Sequence, residues 1–122
     1  MPARPSIPAV IVVDDEAAFG RSLVLLLEGR GRPALGFASS FDAIEAIDEG
    51  PAVALVLVDV RMPEIDGRDF VRALGYLFPH VLCALMSAFP TEDDDMPPGI
   101  PFLKKPFEVD EVLGLLSESA RT

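Results

Sequence analysis

The sequence has too few cysteines and too short apolar runs for a disulfide-bonded or membrane-spanning protein. Cys83 is the sole cysteine among 122 residues, so no disulfide can form within the chain, and this composition suits a reducing compartment. No apolar run approaches the roughly 20 residues that a membrane-spanning helix needs. Asp14 interrupts the first apolar stretch too early for a signal peptide. We therefore expect a cytoplasmic protein with no membrane contact.

Basic residues are also scarce. The chain has 10 lysines and arginines against 20 aspartates and glutamates, which gives a formal net charge of −10 at pH 7. Direct binding to DNA or RNA needs lysine and arginine side chains to displace counterions from the phosphates. We therefore expect no direct contact between this chain and nucleic acid.

Apolar residues, by contrast, are abundant. Half of the residues are hydrophobic, and the mean hydropathy is +0.36. A chain of this length buries roughly two-thirds of the surface that it exposes when unfolded, so it can build a core without disulfides. We expect residues 1–122 to form one domain, with no linker and no second domain.

Strand-like and helix-like segments alternate along the chain. Ala9–Val13, Val53–Val58 and Val81–Met86 are continuous apolar runs, which is typical of parallel strands that are covered on both faces. Pro33–Phe37 and Ile100–Leu103 are shorter and weaker strand candidates. This order of segments predicts an α/β fold with a parallel sheet. We expect a flavodoxin-like, doubly wound sheet of five strands in the order 2-1-3-4-5.

Between the strands, apolar residues recur at the spacing of amphipathic helices. Ser39 or Ser40 is expected to cap the second helix. The residues expected to face the core are, helix by helix, Phe19, Leu23, Leu26 and Leu27; Phe41, Ile44 and Ile47; Phe70, Leu74, Leu77 and Phe78; and Val109, Val112, Leu113 and Leu116.

Three acidic residues lie where apolar strands end. Asp14 and Asp15 follow Ala9–Val13, and Asp59 follows Val53–Val58. Doubly wound sheets bind ligands at the carboxyl ends of the strands where the strand order reverses, which here is between strands one and three. The three carboxylates are therefore expected in one crevice, where they suit a hard cation. The alternative is that each aspartate is a turn residue or a helix cap.

The other strand ends add a hydroxyl group and two lysines. Ser87 follows strand four, and Lys104 and Lys105 follow strand five. A lysine is a compact point charge suited to phosphate, and a hydroxyl group can hydrogen-bond a bound anion. The alternative is an ordinary loop serine and two solvated lysines.

Four segments, in order, resemble the response-regulator receiver domain of two-component signalling. They are Val12-Val13-Asp14-Asp15-Glu16, Leu57–Pro63 with Asp66-Gly67, Met86-Ser87-Ala88 and Phe102–Phe107. Each motif alone is weak, but together they cover nearly the whole chain at the ends of the predicted strands. The resemblance implies a cytoplasmic phosphoprotein of phosphorelay signal transduction that is not a turnover enzyme.

By this resemblance, Asp59 is the phosphoacceptor. It would take a phosphoryl group from a phosphohistidine on a partner histidine kinase or phosphotransfer protein. The implied cofactor is Mg²⁺, held by Asp14, Asp15, Asp59 and the backbone carbonyl of Arg61. This fits the preference of Mg²⁺ for several waters and a few carboxylates together with phosphate. The resemblance does not identify the output partner.

The resemblance also implies roles for the hydroxyl group and one lysine. Lys105 and Ser87 are the implied catalytic groups, because Lys105 would pair with the Asp59 carboxylate and Ser87 would hydrogen-bond the phosphoryl group. Ser87 and Phe102 are the implied switch, in which the ring turns inward as the hydroxyl group moves. The Lys105-Pro106 bond is typically cis in this family. The expected output face comprises the fourth helix, the fifth strand and the fifth helix.

One segment departs from the family pattern. The interval from Ser87 to Lys105 is several residues shorter than usual. It contains Pro90, Pro97, Pro98 and Pro101. Because a proline inside a helix costs about 3 kcal/mol, we expect a shortened fourth helix of one or two turns over Thr91 to Met96. This departure puts the usual output surface in doubt, and with it a weak homodimer formed through that surface.

Two more residues line the expected pocket. Arg61 lies two residues after Asp59, and Phe89 lies two residues after Ser87. We hypothesise that both shield the acyl phosphate from water and slow its hydrolysis. The alternative is that both point into solvent.

Two other functions compete with the receiver. A metal-dependent phosphatase or hydrolase of the haloacid dehalogenase type would carry Asp-x-Asp after strand one, whereas Asp14 and Asp15 are adjacent and Glu16 follows them. The third acid also comes from strand three, which favours the receiver. The other candidate is a degenerate receiver that acts only as a docking module. The presence of every acceptor-site residue counts against it.

Overall fold

The computed structural model describes residues 7–89 and 96–120, and the side chains of residues 119 and 120 are not described. In these ranges a parallel sheet of five strands lies between two layers of helices. The strands are β1 (Ala9–Val13), β2 (Ala34–Phe37), β3 (Val53–Asp59), β4 (Leu82–Ser87) and β5 (Phe102–Lys104). The helices are α1 (Ala17–Gly29), α2 (Ser40–Glu49), α3 (Gly67–Leu77) and α4 (Val109–Ala120).

The strand order is β2-β1-β3-β4-β5, and every neighbouring pair is parallel. This confirms the predicted doubly wound sheet and its order. The short helix expected over Thr91 to Met96 lies outside the described residues, apart from Met96, which lies in a bend. The helix labelled α4 is therefore the one expected to follow the fifth strand.

The core has two layers because the central strands are covered on both faces. Ile11 and Val13 of β1 pack with residues of α2 and α3 on one face. Val10 and Val12, which alternate with them, pack with residues of α1 and α4 on the other face. All five residues of β1 are buried. This is why the sequence shows a continuous apolar run rather than an alternating one.

In α1, α2 and α3, fewer of the predicted apolar positions are buried than the spacing pattern indicates. Leu26, Phe41 and Leu77 were expected to face the core, and these predictions are wrong because all three side chains are exposed. Successive residues of a helix are rotated by about 100°, so Leu26 and Phe41 turn away although their neighbours Leu27 and Ser40 are buried. The other predicted core positions are buried or partly buried against the core.

The predicted cap of α2 agrees with the structure, and α3 has a side-chain cap of the same kind that was not predicted. The Ser39 side chain caps α2 by accepting a hydrogen bond from the Phe41 amide, with Ser39 Oγ 3.2 Å from the nitrogen. Asp66 caps α3 by accepting one from the Arg68 amide at 2.8 Å. Gly67 then begins α3 so close to β3 that a Cβ atom there would lie 2.1 Å from the Asp59 carbonyl oxygen. A side chain at this position would therefore push the start of α3 away from the end of β3.

Cys83 is buried, as its apolar surroundings predict. Cys83 lies in β4 with its side chain buried, and burial raises the pKa of its thiol to about 11. Across residues 7–89 and 96–120, no helix combines the length and the apolar character that crossing a membrane requires.

Candidate functional site

The predicted site residues lie along one edge of the sheet, where the parallel strands end. Asp14 directly follows β1, Asp59 is the last residue of β3, Ser87 is the last residue of β4 and Lys105 directly follows β5. The strand order reverses between β1 and β3, so this edge contains the switch point at which such folds bind ligands. Asp14, Asp59 and Ser87 are 2%, 7% and 1% exposed, which is unusual for polar side chains.

Lys105 joins two of the acids. Its Nζ atom lies 2.6 Å from Asp14 Oδ2 and 2.6 Å from Asp59 Oδ2. It also lies 4.0 Å from the centre of the Phe19 ring, and Phe19 packs edge-on against Phe107 with ring centres 5.9 Å apart. Burial disfavours the ammonium ion, but the hydrogen bonds from Lys105 to the two carboxylates outweigh it and raise the pKa of Lys105. The ammonium ion is therefore held charged between two acids and an aromatic face.

Burial is also the dominant influence on Asp14. It raises the pKa of this carboxyl group, although hydrogen bonds from Lys105 and from the Glu16 amide lower it in part. The amide nitrogen of Glu16 lies 2.8 Å from Asp14 Oδ1. Both oxygens of Asp14 thus have partners, and the same holds for Asp59, which accepts from Lys105 and, at 2.7 Å, from the Arg61 amide. The two carboxylates are fixed in place before any ligand binds.

The third acid stands apart from this pair. Asp15 is exposed, whereas Asp14 and Asp59 converge on Lys105. No three side chains of His, Cys, Asp or Glu are grouped as a metal site in the part of the chain that the structure describes. The single ammonium group of Lys105 nevertheless balances the charge of only one of the three carboxylates, and the donor atoms of the carboxylates are all oxygens. This donor set fits a hard cation such as Mg²⁺.

The two switch candidates lie at different places along neighbouring strands, with Ser87 at the end of β4 and Phe102 at the start of β5. Ser87 Oγ accepts a hydrogen bond from the Phe89 amide at 3.1 Å. Phe102 begins β5 and is 37% exposed, so its ring is not enclosed by the core. The Lys105-Pro106 bond is cis, as predicted.

Arg61 and Phe89 contact each other. The guanidinium carbon of Arg61 lies 4.3 Å from the centre of the Phe89 ring, and Phe89 is 53% exposed. Their backbones touch the site, because the Arg61 amide donates to Asp59 and the Phe89 amide donates to Ser87. The pair is therefore placed beside Asp59 and Ser87, with one face of the Phe89 ring covered by the guanidinium group.

Two contacts at this edge were not predicted. The Phe19 ring was expected only as part of the core, and no spacing rule connects it to Lys105. Glu64, in the loop between β3 and α3, accepts hydrogen bonds from the amide and the hydroxyl group of Ser40. No local sequence motif could have predicted this contact, because Ser40 and Glu64 are 24 residues apart in the chain.

Lys105 thus bridges two buried acids at the switch point of the sheet, and comparison with known proteins defines the family. The family model of the response regulator receiver domain matches residues 10–116. The chain therefore belongs to the receiver domains of two-component response regulators.

Relatives of known name agree with this assignment. The chain is 30% identical over 118 residues to the transcriptional regulatory protein FixJ of Bradyrhizobium diazoefficiens, covering 92% of this chain and 56% of FixJ. It is 28% identical over 108 residues to the response regulator receiver protein CpdR of Brucella abortus, covering 85% of this chain and 89% of CpdR. It also matches the sensor kinase CckA of the same organism at 31% identity, covering 89% of this chain but 12% of CckA. The chain thus spans only part of FixJ and CckA.

Solved structures give the same fold. A receiver protein from Pseudomonas putida aligns with a TM-score of 0.82 at 28% identity, over 93% of this chain and 98% of that one. An uncharacterised protein from Neptuniibacter caesariensis aligns with a TM-score of 0.81 at 30% identity, over 97% and 90%.

Proposed function

We propose that this receiver domain is switched by phosphorylation of Asp59. A carboxylate oxygen of Asp59 would attack the phosphorus of a phosphohistidine on a histidine kinase or phosphotransfer protein. The new oxygen–phosphorus bond replaces the nitrogen–phosphorus bond, and the imidazole leaves with the electron pair. The observation that carries the proposal is the contact of 2.6 Å between Asp59 and Lys105, which places a fixed positive charge against the proposed acceptor.

The residues at this edge would bind the metal ion and supply positive charge to the phosphoryl group. Asp14, Asp15, Asp59 and the backbone carbonyl of Arg61 would hold Mg²⁺. When bound, Mg²⁺ supplies positive charge that offsets the charge of the phosphoryl oxygens. Lys105 supplies a second positive charge, and its hydrogen bonds to the two carboxylates, which raise its pKa, favour this charged form.

Ser87 and Phe102 would couple phosphorylation of Asp59 to a change at the protein surface. A phosphoryl group brings a charge of about −2 and strong hydrogen-bond acceptors. Ser87 Oγ would exchange its present partner, the Phe89 amide, for a phosphoryl oxygen. The ring of Phe102, which is 37% exposed, would turn inward, and this would alter the surface formed by β5 and α4. An output protein or a second copy of the chain, held in a weak homodimer, would read that surface in the cytoplasm.

The decisive experiment is incubation with acetyl phosphate and Mg²⁺, followed by intact-mass measurement. We expect the wild type to gain one phosphoryl group and Asp59→Asn to gain none. A wild type that gains no mass, or an Asp59→Asn variant that gains the same mass, would exclude Asp59 as the acceptor.

A parallel assay with a generic phosphate ester distinguishes a receiver from a hydrolase. Stoichiometric labelling supports a receiver, whereas continued turnover supports a hydrolase.

A further inference from the structure

The loop between β3 and α3 is fastened at two points. At its start, the Arg61 amide donates to Asp59 Oδ1 at 2.7 Å. Further along, Glu64 Oε1 accepts from the Ser40 amide at 2.6 Å and from Ser40 Oγ at 2.9 Å. Met62, between these points, is buried in the core. The peptide of Arg61 therefore lies in a short segment whose two sides are both held.

The second fastening joins the loop to a helix terminus. Ser40 is the first residue of α2 and is 2% exposed. Its amide is one of the donors that a helix leaves without a partner in its first turn. A carboxylate satisfies such a donor and also interacts favourably with the positive end of the helix dipole. The hydrogen bond from the Ser40 amide is the main reason that the pKa of Glu64 is lowered, because this bond favours the ionised carboxylate.

We infer that Glu64 is a positioning residue, which holds the Arg61 peptide ready for Mg²⁺ by tying the loop after β3 to the first turn of α2. The inference rests on the proposed function, because the backbone carbonyl of Arg61 is a proposed ligand of the metal. Coordination of Mg²⁺ demands nearly ideal octahedral geometry, so a carbonyl on a loosened loop would bind it less well. By the same link, bound Mg²⁺ would strengthen the contact between Glu64 and Ser40, because coupling between two sites is reciprocal.

The test is a titration of the full chain with Mg²⁺, in which NMR chemical shifts of the loop amides report binding. We expect Glu64→Ala to weaken Mg²⁺ binding about fivefold, at the low end of typical coupling between sites. Glu64→Gln keeps an acceptor but loses the charge, so its effect should be smaller. Ser40→Ala removes one of the two hydrogen bonds, and adding it to Glu64→Ala should cause no further loss.

A matched control separates positioning from stability. Ile47 lies in α2 and packs partly buried against the core, so Ile47→Ala should destabilise the same helix without touching Glu64. We expect a lower melting temperature and unchanged Mg²⁺ affinity for that variant. A second measurement is amide exchange at Ser40. Saturating Mg²⁺ should slow exchange in the wild type and have no effect on it in Glu64→Ala.

The outcomes are distinguishable. If the wild type binds Mg²⁺ and Glu64→Ala binds it equally well, or if Ile47→Ala weakens it as much, the positioning role is wrong while the proposed function stands. If the wild type binds no Mg²⁺, both the metal in the proposed function and this inference fail. Should Glu64→Ala not fold, the comparison between Glu64→Gln and the wild type decides.

Discussion

The centre and the rim of the strand-end site differ in how their side chains are held. The centre consists of Asp14, Asp59 and Lys105, which are largely buried and joined by hydrogen bonds of 2.6 Å. The rim consists of Arg61 and Phe89, which lie near the surface and touch only by stacking. Removing one partner of a buried ion pair leaves an uncompensated charge, whereas exposed cation–π contacts are weak. The centre should therefore control stability and chemistry, and the rim should adjust rates.

The largest effect is expected for Lys105→Met, which leaves two buried carboxylates without their cation. Breaking a buried ion pair costs about 3–5 kcal/mol, and we expect a loss of this size in the free energy of unfolding by urea at pH 7. Lys104→Met is the matched control, since Lys104 is exposed and should change stability by less than about 0.5 kcal/mol. Equal effects of the two substitutions would show that the buried ion pairs of Lys105 do not account for the loss.

The pH dependence of stability sharpens the same comparison. The folded state raises the pKa of Lys105 above its ordinary value of 10.5, so the folded protein holds this proton more tightly than the unfolded chain. Its contribution to stability is therefore complete below pH 10.5 and is lost as the pH rises through the higher, folded pKa. We expect the difference in unfolding free energy between wild type and Lys105→Met to shrink at alkaline pH. A difference that stays constant there would argue against a charged Lys105 as its source.

A smaller effect on stability is expected from substitution of Phe19, whose ring contacts Lys105. Phe19→Leu removes the ring face above Lys105, and a partly buried cation–π contact is worth about 1 kcal/mol. Phe19 also packs against Phe107, so the contact is isolated by a double-mutant cycle with Lys105→Met. The double variant should lose less stability than the sum of the single losses. Phe19→Tyr keeps the ring face and is expected to leave the stability close to that of the wild type.

The smallest effects are expected at the rim. If Arg61 and Phe89 shield the acyl phosphate, Arg61→Ala and Phe89→Ala should each shorten its lifetime about twofold to fivefold, which corresponds to the roughly 0.5–1 kcal/mol of an exposed cation–π contact. Because the two side chains touch each other, the double variant should decay little faster than either single one. Tyr76→Ala, which removes an exposed aromatic ring near the end of α3, is the control. Unchanged lifetimes in both rim variants would remove the shielding hypothesis.

Much of the fold follows from the sequence because the central strands are buried on both faces. That burial makes Ala9–Val13 and Val53–Val58 continuously apolar, and the topology rule then places Asp14 and Asp59 together at one edge. The helix patterns were less reliable, since a leucine at the border of a buried stripe, such as Leu26, has the same spacing as one inside it.

The missed contacts have a different cause. The stacking of Lys105 on Phe19 and the hydrogen bonds between Glu64 and Ser40 join side chains from distant parts of the chain. Neither contact leaves a periodic trace in the sequence, because each depends on how a helix meets a loop at the edge of the sheet. The sequence therefore predicts where such a site lies better than it predicts which neighbours hold it.

The burial of Cys83 has a practical consequence for spectroscopy. With a pKa of about 11, only roughly one thiol in ten thousand is ionised at pH 7, and the thiolate is the reactive form. A fluorescent maleimide should thus ignore the native cysteine and attach to a new one introduced at a solvent-facing position such as Tyr76→Cys. Dyes attached in this way would allow conformational changes of the domain to be followed by fluorescence without replacing Cys83.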